Sequence, residues 1–231
     1  MNIFHLDKDP VKSAEYMCDK HIVKMMLETN QLLCTAHWMG WKRMLNPPSD
    51  LKGKRMKEWL SLRIPHPDLL PPYSMTHVNH PSSVWARQCW ANYNWLVRHG
   101  IALCAEYTRR YGKVSKSEEV TRWCGRFPPP TFDATNADDP LSMTPFAVAM
   151  PDQYKVPGDP VQSYRNYYHG SKVRFAKWRY TPPPSWWAPH TYHHGGDNGG
   201  LQHYPDGRGG GESEDVRSEP DADARSLHAI P

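Results

Sequence analysis

A mainly α-helical fold is predicted, as one compact helical domain with a short extended N-terminal arm, and three observations predict it. Residues 11–37 run without a single Gly or Pro, and residues 82–111 contain only Gly100. Two Asp-Pro pairs, Asp9-Pro10 and Asp159-Pro160, each place a good N-cap before Pro at the first helical position, where its missing N–H costs nothing. Outside Asn2–Leu6 the chain shows almost no alternation of apolar and polar residues of the kind a half-buried strand requires.

In chain order, Asn2–Leu6 is an apolar stretch read as a strand or an extended arm. Asp9-Pro10 opens a helix expected to run to about His37. Residues 38–80 are irregular, with Pro pairs at 47–48 and 71–72, and the basic segment Leu51–Leu62 forms a short helix despite Gly53. Ser82 or Ser83 caps a second long helix from Pro81 to Tyr111, with Gly100 as its possible break. Ser117-Glu118-Glu119 starts a short helix ending near Gly125. A Pro-rich loop over 128–158 leads to Asp159-Pro160, after which helix continues to about Trp178.

Composition divides the chain near Trp187. Residues 188–231 are rich in Gly, Pro, Asp, Ser and Glu, with eight acidic residues against three Arg. Such a stretch cannot bury enough apolar surface to offset its ordering entropy and is expected to be a disordered tail. Residues 1–187 carry 25 basic and 16 acidic side chains, a formal +9. A basic domain points to a polyanionic partner. The five cysteines are an odd set without CxxC spacing, and neither HExxH nor an Asp-rich metal loop occurs, so no metal and no cofactor are expected. No apolar run approaches the roughly 18–20 residues that span a bilayer. No signal peptide is read at the start. The expectation is reduced thiols in a cytoplasmic protein with no membrane partner.

Three constellations carry chemistry. At about 100° per residue, His21, Lys24, Glu28 and Thr35 share one stripe of the first helix, while Ile22, Val23, Met26, Leu27 and Leu33 spread apolar surface around the rest. A helix apolar on most sides is usually buried. Its ionisable groups then line a cleft, and a carboxylate beside an amine and an imidazole is a proton-transfer set. The plain alternative is a Lys24–Glu28 surface pair with His21 at the core edge. The second constellation is Thr76-His77-Val78-Asn79-His80-Pro81-Ser82 with Arg87 one turn on, polar groups placed before a helix N-terminus where anions bind. The alternative there is an ordinary cap with two solvent histidines. On the helix that follows, Asn92 and Asn94 are candidates for amide contacts to a base edge, whereas Trp85, Trp90, Tyr93, Trp95 and Leu96 form a core stripe. In the third constellation, Tyr164 to Tyr180, basic residues alternate with aromatics, as suits phosphate neutralisation and base stacking. Tyr164, Arg165, Tyr168, Lys172, Arg174 and Lys177 are its candidate DNA contacts. The alternative is an amphipathic helix docked through Phe175 and Trp178.

Two family resemblances enter on particular motifs. The patterns MNIFHLDKDP…AEYMCDKHIVKMMLETNQLLCTAH, HVNHPSSVW…NYNWL…CAEYTRRYGK and MPDQYKVPGD…YRNYY, covering about 1–187, resemble small tailed-bacteriophage proteins associated with the amino acid:DNA transferases, also called glutamyl/putrescinyl-thymine pyrophosphorylases. That resemblance implies a host-cytoplasmic enzyme of thymine hypermodification and restriction evasion. Its substrates are double-stranded DNA with hydroxymethyluracil already (pyro)phosphorylated by a phage base kinase, and a free amino acid or polyamine. It implies Glu28, His21 and Lys24 as catalytic, and Asp19, Lys20, His77, His80, Arg87 and Asn92 as phosphate or substrate contacts. Second, Asp19-x-His21 followed seven residues later by Glu28 resembles the helix of phage pyrimidine-dimer DNA glycosylases of the endonuclease V type, which implies Glu28 as the catalytic carboxylate. Those enzymes attack with the N-terminal amine of a small second residue. Here position 2 is Asn, beside which the initiator Met is normally retained. The transferase is the leading expectation, with a DNA glycosylase and a non-catalytic DNA-binding protein as its competitors.

Overall fold

The computed structural model describes residues 2–132 and 143–187, all belonging to one compact unit, Met1–Pro189. The predicted tail 188–231 and residues 133–142 of the Pro-rich loop lie outside the described residues. Seven α-helices and no strand occur among the described residues: α1 Pro10–Glu15, α2 Asp19–Leu45, α3 Gly53–Ser61, α4 Pro81–Ala86, α5 Trp90–Tyr111, α6 Ser117–Arg126 and α7 Pro160–Tyr167. Residues 2–6 form an extended arm.

Local chemistry sets most of the ends. Asp9 accepts from Val11 and Lys12 N–H and starts α1, and Asp159 accepts from Gln162 N–H and starts α7. Asn46 and Gly112 terminate α2 and α5 in the left-handed conformation that these two residue types tolerate best. The centre of the fold is the crossing of α2 with α5. Helix α6 packs on both, α1 lies along α5, and α4 along α2. Because α2 runs past every neighbour, its residues enter both main apolar clusters. Ile22, Met25 and Met26 meet Leu103, Tyr164 and Tyr168 at one end, and Leu32 and Leu33 meet Trp85, Tyr93 and Leu96 at the other.

Four expectations are corrected. The first helix does not run from Pro10 to His37 but breaks at Tyr16–Cys18. There the guanidinium of Arg110 on α5 takes the Glu15 and Met17 carbonyls at 2.9 and 2.8 Å, and the Asp19 N–H reaches the Lys177 carbonyl at 2.9 Å. The second long helix breaks at Arg87–Cys89, not at Gly100, because the Asn92 amide takes the Trp85 carbonyl at 2.9 Å. The C-terminal helix ends early: a wide π-type turn at Tyr168–Lys172 follows α7, so Arg174 and Lys177 stand on irregular backbone. Finally, Val23 and Leu27 on α2 are about half exposed, so its N-terminal half is buried on fewer sides than its apolar content suggests.

Gly100 instead permits close helix contact. A Cβ there would stand 2.8 Å from Thr121 Cγ2 and 3.0 Å from Thr29 Cγ2, and the Thr121 hydroxyl is held by Asn30 and Ser117. Gly100→Ala should therefore destabilise the fold by about 1–3 kcal/mol through overpacking, even though Ala is the better helix former. Urea melts of the two proteins check this, and an unchanged or raised midpoint would show that α6 yields freely.

Candidate active site

The stripe read from helical spacing opens onto a cleft of about 440 Å³. Its floor is α2, which contributes Lys20, His21, Lys24, Met25 and Glu28, and one wall is the N-terminal arm with Asn2 and Phe4. The opposite wall comes from Ala149, Tyr167, Lys172 and Phe175. Glu28 is mostly buried, its side chain 13% exposed. Its Oε2 accepts from the Asn2 backbone N–H at 3.1 Å, and its Oε1 lies 3.2 Å from Lys24 Nζ, an amine that is largely solvated.

Asn2 is clamped. Its Nδ2 donates to the Ala149 carbonyl at 2.8 Å, and its Oδ1 accepts from the Tyr164 hydroxyl at 2.8 Å. The arm beyond it is tied down by Ser13, whose hydroxyl donates to the Phe4 carbonyl, and by Arg165, whose Nε donates to the Leu6 carbonyl. His21 is buried, stacked on Phe4 at 4.3 Å, and its Nδ1 meets the Tyr168 hydroxyl. Burial, helped by the Lys172 and Lys24 charges, pushes its pKa down to about 3, so the ring is neutral at ordinary pH. Lys20 lies over the Phe175 ring at 5.4 Å and Lys172 over the Tyr167 ring at 4.3 Å, which brings both cations to the cleft beside Lys24. The arrangement combines a held carboxylate, a neutral imidazole, aromatic faces and cations, as needed to stabilise positive charge at one atom and bind phosphate around it.

The other named residues divide. The His77/His80 loop is latched to α2 by Thr35, whose hydroxyl donates to the Thr76 carbonyl at 3.0 Å. His80 is lowered by burial and by His77, against the raising field of Glu28, so the second constellation stands within electrostatic reach of the first. Its Nδ1 caps α4 by accepting from Ser82 N–H, and Arg87 donates to the Val78 carbonyl at 2.6 Å. Asp19 holds Arg110 and the Arg179 N–H. Asn92 is fully buried, engaged with Trp85 and Thr144. Tyr164 and Tyr168, expected to face DNA, are fully buried and hold Asn2 and His21 instead. Arg174 and Lys177 are exposed. Sequence reasoning passed over Asn2, Phe4, Ala149, Tyr167 and Phe175 as site residues. The signal for Asn2 was its position, where the endonuclease V type keeps its nucleophile.

The family model of the pyrimidine dimer DNA glycosylase matches residues 1–119, just over half of the chain. The chain belongs to the pyrimidine dimer DNA glycosylase family. This is the second of the two resemblances drawn from the sequence, and its Asp19-x-His21 and Glu28 lie inside the matched segment. The glycosylase-family segment supplies the arm and floor of the cleft, whereas the wall of Ala149, Tyr167, Lys172 and Phe175 lies beyond it. No curated protein and no solved structure matches the chain. Among the described residues no group of His, Cys, Asp and Glu is placed to hold a metal ion, and no helix is long and apolar enough to cross a membrane.

The buried histidines also set a pH dependence. Burial pushes His21 and His37 down to about 3 and His99 to about 4. In the unfolded chain all three protonate near pH 6.5, so between about pH 6.5 and pH 4 the unfolded state binds more protons than the folded one. Their contribution to stability is therefore complete above about pH 6.5 and is lost as the pH falls through that window. Urea melts at several pH values check this, and a midpoint that holds constant from about pH 7 to pH 5 would overturn it.

Proposed function

We propose that the protein is a pyrimidine-directed DNA glycosylase that uses Glu28 to stabilise a cationic sugar and water as its nucleophile. The observation that carries this reading is the bond from Asn2 N–H to Glu28 Oε2, which aims a mostly buried carboxylate into a cleft lined by three lysines. The cleft falls in the roughly 300–1,000 Å³ range of small-ligand pockets. A target base reaches it by leaving the duplex stack, while Lys20, Lys24 and Lys172 hold the flanking phosphates. The C1′–N1 bond breaks with its electron pair leaving on the base, and the Glu28 carboxylate faces the oxocarbenium-like carbon. Water adds at C1′, its proton passes by way of Glu28 to the base anion, and an abasic sugar remains; where the target is a dimer, the released base stays joined to its partner pyrimidine. The Asn2 nitrogen is a peptide amide that donates to Glu28, so water is the nucleophile proposed.

A second reading is favoured by the number of cations around one carboxylate. In it, a free amino acid or polyamine nitrogen attacks the 5-methylene carbon of a (pyro)phosphorylated hydroxymethyluracil in DNA. The C–O bond breaks, phosphate or pyrophosphate departs toward Lys20, Lys24 and Lys172, and the ammonium proton passes to Glu28. A phage base kinase would supply that substrate. One experiment separates the readings: incubation with unmodified DNA, ultraviolet-irradiated DNA and pyrophosphorylated-hydroxymethyluracil DNA plus amines, followed by digestion to nucleosides and mass spectrometry. Abasic sites in the irradiated DNA alone, with the excised pyrimidine still joined to its dimer partner until the dimer is photoreversed, support the glycosylase, and an amine adduct supports the transferase. Binding without any product at protein excess overturns both in favour of a non-catalytic DNA-binding protein.

A further inference from the structure

Among the described residues His21 is the one histidine lining the cleft, and its ring is fixed by side chains far apart in the sequence. Phe4 of the arm sets the plane of the ring by stacking on it, and Phe175 meets it edge to face at 5.4 Å. Nδ1 is engaged by the hydroxyl of Tyr168, a fully buried residue on the π-type turn and outside the segment that matches the glycosylase family. Nε2 has no hydrogen-bond partner among the described residues.

Two proton arrangements satisfy the His21–Tyr168 contact. In one, the phenol donates to Nδ1 and the ring proton sits on Nε2. In the other, Nδ1–H donates to the phenol oxygen, whose own hydrogen must then find another acceptor. The neighbouring acceptor for it is Cys18. A thiol sulfur is a weak acceptor beside an imidazole nitrogen, and a buried hydroxyl left poorly satisfied is costly. The imidazole nitrogen is the stronger acceptor in contact with the fully buried hydroxyl, so the phenolic hydrogen goes to His21.

We infer that Tyr168 is a positioning residue that holds His21 as the neutral Nε2–H tautomer, so that His21 offers the cleft a hydrogen-bond donor and not a base. The catalytic consequence rests on the proposed base-directed reaction. As the pyrimidine departs, negative charge spreads from its N1 onto its carbonyl oxygens, and a fixed neutral N–H donor stabilises that charge. The division of labour follows: Glu28 faces the cationic sugar and His21 the anionic base. The family-matched segment carries both groups, and Tyr168 from beyond it decides what one of them can do.

The test has a spectroscopic arm and a catalytic arm. With ¹⁵N-histidine-labelled protein, long-range proton–nitrogen correlations report the tautomer directly, with the His21 signals assigned by their loss in His21→Gln. The expected pattern is an unprotonated Nδ1 and a protonated Nε2, with Tyr168→Phe averaging or reversing it while the remaining histidine signals stay in place. A protonated Nδ1 in the unaltered protein overturns the inference, as does an unchanged pattern in Tyr168→Phe. In the catalytic arm, on whichever DNA substrate the protein turns over, His21→Gln keeps an amide N–H near the Nε2 position and should retain most activity. His21→Ala should lose about two to three orders of magnitude. Equal loss in the two variants would make His21 a base and overturn the donor role. If no substrate is turned over at all, the proposed function fails, while the tautomer result still decides the role of Tyr168.

Discussion

Glu28→Gln is expected to lower turnover by about two to four orders of magnitude while the protein stays folded and keeps binding DNA. The substitution preserves shape, and the amide oxygen can still accept from Asn2 N–H, so the arm should remain docked. What disappears is the full negative charge opposite the developing cation and the group that takes up a proton. The Lys24 partner is largely solvated, and losing that pair changes stability by no more than a fraction of a kcal/mol. Single-turnover kinetics with excess protein, run beside a thermal melt and a DNA titration, separate the effects. Unaltered turnover in Glu28→Gln removes the carboxylate from the mechanism. A large loss of stability would instead mark Glu28 as a packing residue whose main task is to hold the arm.

Arg110→Ala should be the most destabilising single change, costing about 3–5 kcal/mol, or on the order of 10 °C in melting temperature. The Arg110 side chain is fully inaccessible. It lies 3.0 Å from Asp19 Oδ1 and 2.9 Å from Glu106 Oε2, and it also takes the Glu15 and Met17 carbonyls. Truncation leaves Asp19 and two carbonyls facing a buried void, while Glu106 keeps its bidentate pair with Arg109 at 2.7 and 2.6 Å; a buried charge left without its cation is the case in which a broken ion pair costs most. Because Asp19 opens α2 two residues before His21, the variant should also loosen the cleft floor, visible as faster amide exchange over α1 and the start of α2. A cost below about 1 kcal/mol would mean that water or a rearranged helix start replaces the guanidinium. Adding Asp19→Asn to Arg110→Met should recover part of the loss, since it removes the carboxylate left without its guanidinium.

What could be read from the residues alone follows the reach of the interaction. The Asp9-Pro10 and Asp159-Pro160 starts were legible because a cap bonds within three residues of itself. The common stripe of His21, Lys24 and Glu28 was legible because helical period is local. The break at Tyr16–Cys18 was not, because Arg110 makes it from more than ninety residues away. The early end of the C-terminal helix was equally hidden, since the segment after Lys172 is drawn off by Asp19, which accepts from Arg179 N–H and donates to the Lys177 carbonyl. The far wall of the cleft was missed for a related reason. Ala149 belongs to a loop with no periodicity to read, Tyr167 stood among basic residues as one more aromatic of the segment, and Phe175 was read as an anchor to the core. The same proximity in sequence misled for Tyr164 and Tyr168, which turn inward from a segment that looked built to face DNA.

The clamp on Asn2 has a consequence for when the site can exist during synthesis. Asn2 bonds to Ala149 across 147 residues and to Tyr164 across 162, and the arm it anchors forms one side of the cleft. A nascent chain emerging from the ribosome displays its second residue first, yet of that residue's side-chain partners neither Ala149 nor Tyr164 is present until the α7 region is out as well. Contacts of such separation form late, because loop-closure entropy must be met before they contribute. Until then Glu28 is one more solvated carboxylate on an early helix. Translation that stops between residues 28 and 149 therefore leaves a fragment that carries Glu28 without the far wall of the cleft.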